Sequence, residues 1–175
     1  MKIAIIGYSG SGKSTLAKAI SQKINIPLLH LDTVQFEANW QERDNKEANT
    51  IVKQFMAQKD WIIDGNYSKF FKEERLEKAD TIIILAFSRW ACLKRVIKRY
   101  FKYRKTSRPD MAEGCREKLD GEFIWWVLYR GRKKQPMKDF IKIQQIYSDK
   151  TIILHNQQEL DDYYQKHELT NEINT

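Results

Sequence analysis

No stretch narrows the possible folds of this chain as sharply as GYSGSGKS at residues 7–14. It matches the pattern glycine, four residues, glycine, lysine, serine or threonine at every fixed position. An apolar run at residues 2–6 precedes it and reads as a short strand. Residues 13–24 follow as a helix, with Leu16, Ala17, Ile20 and Ile24 on one face. A strand, a glycine loop and a helix N-terminus in this order build a phosphate cradle. The loop turns successive backbone N–H groups inward, those of Ser9 and Ser11 among them. Gly7, Gly10 and Gly12 supply backbone angles closed to other residues. The helix points its N-terminal N–H groups at the anion. Lys13 is placed to reach the β- and γ-phosphates, Ser14 to bind Mg²⁺ and Thr15 to meet the α-phosphate. The expected ligand is Mg·ATP.

The rest of the chain alternates strand and helix patterns. Residues 27–32 (PLLHLD), 61–64 (WIID), 81–87 (TIIILAF) and 151–155 (TIILH) read as further strands. Helices are expected at 46–59, 68–78, 88–104, 119–132, 135–147 and 157–165, and the stretch 33–44 has no clear period. Alternation of this kind defines an α/β fold with a parallel sheet. At 175 residues the chain suits one domain, and no internal repeat or linker divides it. No apolar run approaches the roughly 18 residues of a membrane span, and the first residues lack a signal-peptide pattern. A soluble, cytoplasmic protein is expected. Cys92 and Cys115 are too few for a disulfide framework or a zinc site, and His30, His155 and His167 have no ligand spacing.

The net charge of +8 is concentrated. Residues 89–108 hold nine basic side chains and no acid, while the remainder carries 22 basic and 23 acidic ones. Such a cluster suits a polyanion. On the helix at 88–104, Trp90, Leu93, Val96, Ile97, Tyr100 and Phe101 share one face, and Lys94, Arg95, Lys98, Arg99 and Lys102 the other. The helix leads into residues 105–120, which have little periodicity and read as a lid, with Arg104 and Arg108 at its near side. Phosphoryl transfer needs positive charge on the transferring group and exclusion of water, and arginines on a helix entering a lid supply both. Arg95, Arg99, Arg104 and Arg108 are the candidates; Arg130 and Arg132 are weaker ones. Phe123, Trp125 and Trp126 are expected in the core.

Two acids close predicted strands. Asp64 ends WIID and Asp32 ends PLLHLD, which puts both at the carboxyl edge of the sheet, where open α/β sheets bind ligands. Asp32 is the candidate for activating an acceptor hydroxyl, and Asp64, with Ser14, for holding Mg²⁺. The expected catalytic set is thus Lys13, Asp32, Arg95 and Arg99. His30 is given no catalytic role.

With these residues in view, the chain resembles small P-loop kinases of the adenylate-kinase-like group. Within them it is most similar to the bacterial DNA topology modulation protein family. The resemblance runs to about residue 150 and rests on IIGYSGSGKSTLA, LHLDTVQF, WIIDGNYSK, SRWACLKRVIKRY and RPDMAEGCREKLD. It implies a P-loop NTPase fold of three layers: a five-stranded parallel sheet with helices on both faces and a helical lid. It places Asp64-Gly65 where adenylate kinases hold an acid near Mg²⁺, and Arg95 and Arg99 on the arginine-bearing helix at the lid. The chain departs from adenylate kinases in having Asn66-Tyr67-Ser68 after Asp64-Gly65, and in its acceptor segment.

The leading expectation is a kinase that passes the γ-phosphoryl group of ATP to a small acceptor near Asp32, bounded by residues 33–40 and 66–69. The alternative is a nucleic-acid-binding protein affecting DNA topology, with ATP as a switch; the basic helix favours it, but no known DNA-binding motif is present. A regulatory GTPase is disfavoured by the lack of an [NT]-K-x-D guanine signature.

Overall fold

The computed structural model describes residues 1–104, 111, 114–115, 119–132 and 134–170, with the backbone alone at 134–137. Five strands form one sheet: β1 (Lys2–Gly7), β2 (Leu28–His30), β3 (Trp61–Asp64), β4 (Thr81–Leu85) and β5 (Thr151–Leu154). Their order across the sheet is β2-β3-β1-β4-β5, and every pairing is parallel. In β1, β3 and β4 consecutive residues are buried with no alternation: Ile3 to Ile6, Trp61 to Asp64, and Ile82 to Leu85. Successive side chains point to opposite faces of a sheet, so both faces are covered. The covering helices are α1 (Lys13–Ile24), α2 (Leu31–Gln35), α3 (Asn45–Met56), α4 (Lys72–Lys78), α5 (Arg89–Tyr103), α6 (Gly121–Leu128), α7 (Lys134–Ile146) and α8 (Gln157–Lys166).

The chain leaves β1, builds β2 and β3 on one side, then crosses to β4 and β5 on the other. The end of β1 is therefore the switch point of the sheet, where a crevice opens between diverging connections. Residues 7–14 lie at that point.

Local signals explain the helix starts. Asp44 caps α3 by accepting from Lys46 N–H (2.9 Å) and Glu47 N–H (3.2 Å), and Ser88 caps α5 through Ala91 N–H (3.3 Å). By contrast α1 has no side-chain cap and no acid in its first turn.

Several expectations need correction. Asp32 does not end a strand: β2 stops at His30 and Asp32 lies in the first turn of α2, where Thr33 Oγ1 donates back to His30 C=O (2.8 Å). The unpatterned stretch 33–44 holds the end of α2 and a 3₁₀ turn, Ala38–Trp40. The long helix expected at 119–132 breaks at Tyr129 into α6 and a 3₁₀ turn, Arg130–Arg132. Trp125 and Trp126 are exposed, at 58% and 41%, because the shortened α6 offers the core chiefly Val127. On α5 the buried side chains are Cys92 and Val96, while Trp90 and Phe101 face solvent. The inward stripe at spacings of three and four is thus Cys92, Arg95, Val96 and Arg99, so the two arginines share the core-facing side instead of opposing it. Of the expected lid, most residues, Arg108 among them, lie outside the described residues; Met111, Gly114 and Cys115 are described, the first and last buried.

Candidate functional site

The loop at the end of β1 has the geometry of a cradle. Gly7, Gly10 and Gly12 have φ of 152°, 76° and 99°. At Gly10 a Cβ would stand 2.6 Å from Val96 Cγ2 and 2.8 Å from Cys92 C=O, so glycine is what lets α5 press against the loop. Inside the loop Ser11 N–H donates to Tyr8 C=O (3.1 Å), and α1 begins with Leu16 N–H to Gly12 C=O (3.0 Å). Lys13 folds back over the loop and donates from Nζ to Tyr8 C=O (3.1 Å). Burial pulls its ammonium below the ordinary lysine range, while the Asp64 and Asp32 carboxylates pull it the other way. Ser9, Ser14 and Thr15 are half-buried around the same concavity. The Ser11 hydroxyl is buried and has no hydrogen-bond partner among the described residues.

Beside the cradle lies a carboxylate cluster. Asp64 ends β3 and is buried, and its Oδ1 is 2.8 Å from His30 Nδ1 at the end of the adjacent β2. Two residues on, Asn66 reaches across to β1: its Oδ1 accepts from Gly7 N–H (3.1 Å) and its Nδ2 donates to Gly7 C=O (2.6 Å). Tyr67 donates its hydroxyl to Asp32 Oδ1 (2.8 Å). Burial, first, and the Asp32 charge, second, hold the Tyr67 phenol far above its usual range.

One buried cation organises this segment. Arg75, on α4, is wholly buried and donates to three carbonyls, those of Phe70 (2.8 Å), Tyr67 (3.0 Å) and Gly65 (3.4 Å). Desolvation lowers its pKa to about 10, with Asp64 opposing.

The other wall is α5. Arg95 donates to Ser11 C=O in the loop and to Gln157 Oε1 at the start of α8, and its guanidinium lies 4.3 Å from the Phe87 ring centre. Gly12 allows this approach, since a Cβ there would meet Arg95 Nη1 at 2.9 Å. Arg99, one turn on, is half-buried and close enough for its charge to lower the Lys13 pKa. Arg104 is exposed and stacks near Phe101. Arg132 donates to Val127 C=O (3.0 Å) and Phe87 C=O (2.8 Å) and lies 3.8 Å over the Tyr8 ring.

The structure thus brings Lys13, Asp32, Asp64, Arg95 and Arg99 to one edge of the sheet and leaves Arg104 at its periphery. Sequence reasoning missed His30, Asn66, Tyr67, Arg75 and Arg132. Only Asn66 and Tyr67 carried a signal, as the departure from the adenylate kinase pattern after Asp64-Gly65.

The residues present fit Mg²⁺. Among the described residues no group of three or more His, Cys, Asp or Glu could hold a metal alone. Mg²⁺ needs no such group, because it keeps waters and phosphate oxygens and takes one or two protein oxygens. Ser14 and Asp64 are of that kind. No helix among the described residues is long and apolar enough to cross a membrane.

Fold and loop together define a P-loop NTPase fold of the kinase-like type. Residues 3–65 match the ATPase family associated with various cellular activities (AAA). A 34-residue stretch, 19% of the chain, is 68% identical to cytidylate kinase from Aquifex aeolicus, of which it spans 15%. Two solved structures share the fold. TT1252 from Thermus thermophilus has a TM-score of 0.54 at 14% identity, covering 95% of each chain. A gluconokinase from Sinorhizobium meliloti 1021 has a TM-score of 0.52 at 15% identity, covering 95% of this chain and 88% of its own.

Proposed function

We propose that the protein is a kinase transferring the γ-phosphoryl group of Mg·ATP to a hydroxyl of a small, uncharged acceptor. The observation that carries this reading is the meeting of donor and acceptor chemistry on Lys13: its charge is acted on by Asp64 and Asp32 from one side and by Arg99 from the other. A site for binding alone needs the cradle; a site for transfer also needs carboxylates beside it.

In this reading Gly7, Ser9, Gly10, Ser11 and Gly12 wrap the phosphates with backbone N–H groups, Thr15 meets the α-phosphate and Lys13 the β- and γ-phosphates. Ser14 and Asp64 hold Mg²⁺, which shields charge on the β- and γ-oxygens when bound. His30 fixes the orientation of the Asp64 carboxylate. Asp32, oriented by Tyr67, takes the acceptor hydroxyl proton. The acceptor oxygen bonds to the γ-phosphorus, the bond from that phosphorus to the β–γ bridging oxygen breaks, and ADP leaves with the electron pair. Arg99 stabilises the charge on the moving group, and Arg95 holds the loop that presents it. Arg104 and Arg108 belong to the lid side of the nucleotide.

The class of acceptor follows from how cations are used on its side. Ionised acceptors are usually gripped by arginine forks. Residues 25–80 contain two arginines. Arg75 is buried on carbonyls, and Arg43 is matched by Glu37 (3.1 Å) and Glu47 (2.5 Å). Lys69 is turned to Asn45 (2.8 Å) and the Phe70 ring. Asp32 and Asp64 remain, and they favour a polyol, sugar or nucleoside over a phosphate ester or acid.

The test is ADP release from Mg·ATP with sugars, polyols, nucleosides, nucleoside monophosphates and hydroxy acids, with Lys13→Ala as control. Release stimulated by a neutral acceptor and lost in the variant is the expected result. Stimulation by none of them would remove the kinase reading, and stimulation only by the ionised members would remove the acceptor class.

A further inference from the structure

We infer that Asn66 is a positioning residue for the phosphate loop, acting through the backbone of Gly7. The inference rests on the reading of residues 7–14 as a phosphate cradle.

Gly7 is the hinge between β1 and the loop. Its φ of 152° departs from the strand, and a Cβ would stand 2.5 Å from Leu85 C=O. Pairing with β3 ends at Ile5, opposite Asp64. On that side the Gly7 peptide groups would meet water or nothing. The Asn66 carboxamide meets both, accepting from the N–H (3.1 Å) and donating to the C=O (2.6 Å). This side chain therefore replaces one more residue pair of the β1–β3 ladder, and does so where the loop must leave the sheet at one angle.

Only a carboxamide does this, because one group must donate and accept at once. Aspartate keeps the acceptor but faces Gly7 C=O with a second oxygen and adds a negative charge beside the cradle. Alanine removes both bonds. The bonds are partly buried, so neither loss is fully made up by water.

The consequence reaches the acceptor side. The next residue, Tyr67, holds Asp32, and Arg75 holds the carbonyls of Gly65 and Tyr67. One short segment thus sets both the exit angle of the phosphate loop and the acceptor carboxylate.

The test is equilibrium binding of Mg·ADP and of AMP to the wild type, Asn66→Ala and Asn66→Asp. A residue that merely supports the fold would weaken both ligands together. A residue that shapes the cradle changes their ratio, since AMP lacks the β-phosphate. The expected result is a wild-type preference for Mg·ADP that falls about tenfold in Asn66→Ala and further in Asn66→Asp. Variants that fold and keep the wild-type ratio would overturn the role of Asn66 and leave the cradle intact. A wild type without preference for Mg·ADP would remove the cradle reading, and this inference with it.

Discussion

The His30 imidazole and the Asp64 carboxylate meet at 2.8 Å across the ends of two neighbouring strands, paired in register. Asp64 is 3% exposed, so it has little water to fall back on. A buried carboxylate that loses a hydrogen bond costs about 1–3 kcal/mol. His30→Ala is expected to destabilise the protein by that amount and to lower turnover by roughly ten- to a hundredfold, the range for residues orienting a metal-binding group. Denaturant melts and steady-state kinetics check it; unchanged turnover would separate His30 from the site.

Arg75 poses the opposite case, a buried cation satisfied by carbonyls. Replacing it with Met keeps the volume but strands the carbonyls of Gly65, Tyr67 and Phe70. A loss of about 3 kcal/mol or more is expected. Arg75→Lys does not restore it, because three divergent acceptors need the guanidinium fork. Urea titration of both variants measures this, and full stability in the lysine variant would contradict it.

Much of the fold was legible before the structure. The apolar runs at β1, β3 and β4, and the glycine loop, each carry their signal within a few adjacent residues. What was not legible involves partners far apart in the chain. Nothing in KEERLEK distinguishes Arg75 from its charged neighbours, and its burial depends on the loop at 65–70. Asp32 was placed at a strand end because LLHLD alternates no differently from a strand that runs on; the helix begins instead where Thr33 caps back onto His30. Arg95 and Arg99 were assigned to an outer face because a helical wheel assumes that charge faces water. Here the interior on that side is the backbone of the phosphate loop, which offers Ser11 C=O as an acceptor.

Arg99 is expected to act on charge that develops during transfer. Arg99→Ala should lower kcat by about a hundredfold with a smaller change in KM for ATP, the pattern of a contact made mainly in the transition state. Arg95→Ala should instead raise the KM for ATP and lower stability, since its bonds are to the loop and to Gln157. Equal effects of the two on kcat would contradict this division.

Alkaline pH offers a test free of substrate. Burial pushes the Tyr164 phenol up to about 12, from an ordinary value of 10.0. Its contribution is complete below pH 10. Between pH 10 and 12 the unfolded chain loses this proton and the folded chain keeps it, so stability falls as pH rises. Tyr164→Phe lacks this loss. The stability of the variant relative to wild type should therefore rise by about 1–2 kcal/mol from pH 9 to pH 12. A constant difference in guanidinium melts across that range would show that Tyr164 is not held neutral.

The most direct test of the kinase reading follows the phosphoryl group itself. With γ-labelled ATP, Mg²⁺ and a panel of neutral hydroxyl compounds, label should appear on one acceptor with the wild type and on none with Lys13→Ala of the same melting temperature. Label found only as free phosphate, or transferred equally well by the variant, would contradict it.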